Sequence, residues 1–108
     1  MAKDVIDYQP SDTSTKTSGE VTHDTKTGVV HIVNDLGVQL NYVIEATHTG
    51  DADNFDDAHE LVNTSVSSST VTSEPITDEP WDYIRVKTTP NSSPSGSNDV
   101  RVKHHTQN

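Results

Sequence analysis

Between Val38 and Thr47, Val38, Leu40, Tyr42, Ile44 and Ala46 alternate with Gln39, Asn41, Val43, Glu45 and Thr47. A period of two places one set on each face of an extended chain, so the segment predicts a strand with one buried side. Val29 to Asn34 is a β-branched run, and Asp35-Leu36-Gly37 after it has turn chemistry. Together they predict a hairpin of 29–34 with 38–47. A second alternating segment begins at Trp81. There Ile84 and Val86 share one face, expected inward, while Trp81, Tyr83, Arg85 and Lys87 share the other. Pro90 to Ser97 reads as a long hairpin loop, with 99–106 returning antiparallel to the strand before it.

Shorter strand patterns cover 20–25, 58–66 and 71–74, with a break at Thr27-Gly28 and a polar turn at Ser67–Thr70. About seven short strands separated by turn signals predict an all-β chain, an antiparallel β-sandwich of immunoglobulin-like or jelly-roll-like type. No segment sustains a helical period; one helical turn at 54–61, capped by Asn54, is the only helical option. Residues 9–19 carry polar side chains, Pro10 and Gly19, whereas Val5, Ile6 and Tyr8 ahead of them form a small apolar cluster. An apolar tip on a polar tether predicts an N-terminal arm over 1–19 that docks on its own sheet or on a neighbouring subunit, followed by a single sandwich domain over 20–108.

Composition agrees with sheet and warns of a thin core. Valine supplies 13 of the 108 residues and Ser plus Thr 27, while one Phe, one Trp and three Tyr are all the aromatic mass. Val and Thr fit a pleated surface better than a helix. Seventeen acids against seven bases give a net charge of -10, which disfavours nucleic acid as a partner. Twelve of those acids are Asp, and a surface leaning on Asp, Ser and Thr with few cations suits a salt-rich solvent, where self-repulsion is screened. With no cysteine there is neither a disulfide framework nor a thiolate metal site. No apolar run has the length of a signal peptide or a membrane span, so a chain made and kept on the cytosolic side without membrane attachment, unless lysis or a non-standard route releases it, is expected.

Residues 42–102 resemble small β-sandwich structural proteins of tailed viruses. The features that carry the resemblance are Tyr42-Val43-Ile44-Glu45-Ala46-Thr47, an acidic break, Ser/Thr-rich strands, and Trp81-Asp82-Tyr83-Ile84-Arg85-Val86-Lys87 before a Pro-Asn-Ser loop. With the salt-adapted composition, the chain is similar to virion proteins of haloarchaeal tailed viruses. The resemblance implies a capsid-decoration, turret or tail-associated role, other virion proteins as partners, and no catalytic residues.

Four acids in one loop, Asp51, Asp53, Asp56 and Asp57, offer hard oxygen ligands for Ca²⁺ or Mg²⁺, although the loop lacks the glycine and terminal glutamate of an EF-hand and a solvated acidic loop is the plainer reading. Six histidines, including His23, His31, His59 and His104, show no chelating spacing, and the adjacent His104 and His105 point to opposite faces of a strand. Neither Gly-x-Ser-x-Gly nor a glycine-rich phosphate loop occurs, and so small a chain has little room for a substrate cleft; no enzyme and no cofactor are expected. The sequence thus points to a non-enzymatic homo-oligomer that assembles through strand edges and the arm. Its interface residues would be Val5, Ile6, Tyr8, Trp81, Tyr83, Arg85 and Lys87. The rival reading is a carbohydrate- or receptor-binding module with Trp81 and Tyr83 as its platform.

Overall fold

Nine strands, all antiparallel in their pairings, form two sheets in the computed structural model, which describes residues 2–19, 21–23, 27–47, 58–76 and 81–107. The first sheet runs β1 (Ala2–Tyr8), β9 (Val100–Gln107), β4 (Thr27–Asn34), β7 (Thr70–Ile76). The second runs β2 (Lys16–Thr17), β8 (Tyr83–Pro90), β5 (Leu40–Thr47), β6 (His59–Val66), with β3 (Val21–Thr22) also on β8. The all-β sandwich expected from the alternation is therefore the fold. Its core takes Val30, Ile32, Val100 and Val102 from the first sheet and Leu40, Tyr42, Ile44, Ala46, Ile84 and Val86 from the second. Each of those ten is at most 2% exposed. The inward sets predicted for β5 and β8 are the ones buried.

The expected hairpins are not formed. β4 pairs with β7 and β9, while β5 pairs with β6 and β8, so residues 35–39 carry the chain from one sheet to the other. The link from β8 to β9 crosses in the same way. Alternation determines which face of a strand is buried but not which sheet the strand joins. Strands with fully apolar faces can meet across a core as well as side by side.

Asn34 holds the first crossing. It has no exposed surface; its Nδ2 donates to the carbonyls of Val38 and Ser67 at 3.0 Å and of Val66 at 3.3 Å, and its Oδ1 accepts from the Leu36 N–H at 3.1 Å. Leu36, an apolar residue in a turn, is 1% exposed and plugs the end of the core. Its carbonyl accepts from the N–H of Ser69, whose φ of 54° shapes the neighbouring crossing from β6 to β7.

The N-terminal segment is not a free arm. Residues 2–8 form β1, an edge strand on β9, with Ile6 buried in the core and the Tyr8 hydroxyl 3.2 Å from Thr88 Oγ1 of the opposite sheet. Residues 9–15 then cross to β2 and β3, so the segment lines one side of both sheets. Ser18 lets the second edge bend. Its N–H donates to the Val86 carbonyl and its Oγ accepts from the Val86 N–H, both at 2.8 Å. The deletion of side-chain bulk at Gly28 matters too. β4 continues through it, paired with Thr106 and Ile76, instead of breaking, and the position has no room for a side chain, since a Cβ there would meet His23 Cε1 at 2.7 Å and the His105 carbonyl at 3.0 Å.

Candidate functional site

β8 alternates regularly from Tyr83 to Pro90, which leaves Tyr83, Arg85 and Lys87 half-buried on the outer face of the second sheet. β5 lies beside it in a register that sets Glu45 opposite Arg85 and Val43 opposite Lys87. The Arg85 Nε donates to Glu45 Oε1 at 2.7 Å, and Lys87 Nζ lies 3.4 Å from the same oxygen. Burial pushes the Glu45 carboxyl up, but the hydrogen bond and charge of Arg85, with Lys87 behind them, outweigh it and hold the group below its ordinary value. Two of the chain's seven cations are thus engaged within their own sheet by one carboxylate.

Trp81 does not share that face. It precedes the first residue of β8, so the strand's alternation does not reach it, and its side chain is 6% exposed and packs in the core with its ring 5.2 Å from that of His59. Ile6 likewise belongs to the core, with Val5 and Tyr8 packed against it. Burial pushes the Tyr8 hydroxyl up, while its Thr88 hydrogen bond pulls the other way. Of the seven residues expected to form an interface, the structure brings only Tyr83, Arg85 and Lys87 together on an outer surface. Asp51, Asp53, Asp56 and Asp57 lie outside the described residues, as does the first half of the helical option at 54–61. Residues 59–61 open β6. Among the described residues no three His, Asp or Glu side chains are grouped so as to hold a metal ion.

Two buried polar arrangements have no counterpart in the sequence reading. His23 Nδ1 lies 2.8 Å from His104 Nε2, in a pair 0% and 2% exposed beneath Gly28. Nothing in a separation of 81 residues signals that contact. Tyr42 donates its hydroxyl proton to Glu74 Oε1 across the sandwich. Burial, then that carboxylate, pushes Tyr42 up to about 12.

The sheet edges are blunted. On β1, Val5 is skipped where the register shifts between Asp4 and Ile6. On β6, Leu61 is skipped opposite Ile44 and Glu45. β7 contains Pro75, which has no N–H to donate, and the edge on β8 is divided into two short strands, β2 and β3. Bulges, a proline and interrupted strands are the devices that keep sheets from pairing edge to edge.

No family model and no curated protein matches the chain. Solved structures match it in shape. The PBSX exported protein XepA aligns with a TM-score of 0.71 at 8% identity, over 97% of this chain and 36% of XepA. PirA aligns with 0.59 at 10% identity, over 96% and 91% of the two chains. The SPBc2 prophage-derived protein YomS also gives 0.59 at 10% identity, over 96% and 88%. This chain spans about a third of XepA but most of PirA and YomS. The likeness shows a shared fold, and with 106 matching chains the fold by itself selects no function.

Proposed function

We propose that the chain is a non-enzymatic structural subunit of a virion, a capsid-decoration, turret or tail-associated module used in several copies. The observation that carries this reading is the likeness, over most of both chains, to a prophage-derived protein of similar size. The filled interior supports it, because the space between the sheets is occupied by closely buried Val, Ile, Leu and Tyr side chains. The charge of -10 and the prevalence of Asp support a salt-rich setting such as that of a haloarchaeal virus. The rival binding module loses its platform, since Trp81 is in the core and only Tyr83 of the two aromatics reaches the outer face. Its partners on this reading are further copies and other virion proteins.

Sedimentation of the purified chain in molar salt tests the proposal. Several copies per particle of mass are expected. A chain that stays monomeric there at every attainable concentration would overturn it.

A further inference from the structure

We infer that the His23–His104 contact is a proton-operated latch that ties the two sheets together at neutral pH and lets go in acid. It is independent of the multi-copy reading. The two rings come from different sheets. His104 points inward from β9, in line with the buried Val100 and Val102. His23 directly follows β3, and its N–H donates to the Asp82 carbonyl ahead of β8 at 2.8 Å. His23 Nδ1 and His104 Nε2 are 2.8 Å apart, with ring centroids at 5.0 Å. Gly28 of β4 backs the His23 ring so closely that a Cβ there would meet it at 2.7 Å. Enclosed in this way, the rings part only if the backbone gives.

A hydrogen bond between two ring nitrogens needs one hydrogen and one lone pair. It forms when both rings are neutral or when one is cationic, whichever of them donates. It does not form when both are cationic, because each facing nitrogen then carries a hydrogen and two like charges meet at contact distance. The closed pair therefore holds at most three protons on its four nitrogens. In the unfolded chain the same two rings hold four in acid, below the ordinary histidine value of about 6.5. The unfolded state thus binds more protons there, so the stability this contact contributes is complete above about 6.5 and is lost as pH falls below it. Charged groups border the pair on every side. Lys3 of β1 pairs with His104 and Asp4 with Lys103, His105 follows on β9, and Tyr83 of β8 pairs with Thr22 next to His23. Asp82 adjoins through its carbonyl, and Glu20, Asp24 and Lys26 flank His23 in the sequence. On β4 the positions concerned are Gly28 and Val30, neither of which titrates. A neighbouring carboxylate favours one cation, but it does not restore the lone pair that the second proton consumes. The limit of three holds whatever these groups carry.

The experiment follows the full chain in molar salt from about pH 7.5 to 5. Glu45, held below its ordinary value of 4.5, loses its charge outside that window. Imidazole nitrogen NMR of the natural protein counts the protons on the two rings. At most three are expected while the chain is folded, and four in the folded protein would overturn the latch. Denaturant unfolding reads the linked stability, and the folding equilibrium constant is expected to weaken roughly sixfold or more between about pH 6 and 5. In the double variant His23→Asn, His104→Gln, whose amides take the places of Nδ1 and Nε2 and do not titrate, that weakening should disappear. It should persist in His105→Gln, which alters the exposed neighbour. Hydrogen exchange at the His23 amide, corrected for its intrinsic rate, should quicken in acid more than exchange within β5. The proton count and the exchange need no variant. An acid profile shared by the natural protein and the double variant, or a His23 amide no faster in acid than those of β5, would overturn the inference.

Discussion

With its side chain fully enclosed, Asn34 directs its amide at three carbonyls of two different crossings and takes the Leu36 N–H in return. Asn34→Leu, nearly equal in volume, leaves those groups unpaired in the interior and is expected to lower the unfolding free energy by about 3 kcal/mol. Denaturant unfolding monitored by Trp81 fluorescence measures it; a loss under 1 kcal/mol, roughly one ordinary hydrogen bond, would refute the clamp. Trp81 itself packs in the core, so Trp81→Ala is expected to cost about 3–5 kcal/mol. An equally stable Trp81→Ala protein would return that side chain to the surface. Tyr42 offers a spectroscopic signature. Burial, then the Glu74 contact, favours its neutral hydroxyl in the fold, and the stability this contributes is fully present at pH below the ordinary tyrosine value of 10.0 and is lost as pH rises through about 12. Alkaline absorbance titration should show a tyrosine step near 12 that is absent in Tyr42→Phe.

At the scale of elements, β1 and the β5–β8 pair make the sharpest claims. Because β1 covers the edge of β9 and contributes Ile6, removal of residues 1–8 is expected to destabilise the sandwich; a detachable arm would leave melting unchanged. On the outer face, Glu45 is held below its ordinary value by Arg85 and Lys87. A lowered carboxylate stabilises the fold above its unfolded-state value, and that stability is lost as pH falls through the folded-state value. Melting temperature should therefore fall more steeply with acid in the natural protein than in Glu45→Gln. These elements also mark how far the sequence could be read. The strands 38–47 and 81–88, their buried faces and the sandwich class were legible, because alternation is a local property. Sheet membership was not, because Val30 and Ile32 look the same whether they meet Leu40 across a core or beside it. Two local signals were available at the first crossing, an Asn at the end of an apolar strand and a Leu inside its turn. Trp81 was misplaced because alternation was extended one step beyond the strand. The 23–104 histidine contact had no local signal at all.

For the whole molecule, charge and assembly are the same question. Seventeen acids on 108 residues repel one another within a copy and between copies, and salt relieves both. The melting temperature is expected to rise as salt increases from about 0.1 to 3 M, over which the Debye length falls from about 10 Å to below 3 Å. A flat profile in circular dichroism would contradict salt adaptation. The claim on which the rest depends is that the chain belongs to a particle in several copies. Quantitative mass spectrometry of purified particles from cells that encode it tests this directly. The account predicts its peptides in the particle at several copies, in fixed proportion to the capsid protein. Particles that lack it, with the chain recovered only from the surrounding fluid or the cells, would contradict the account.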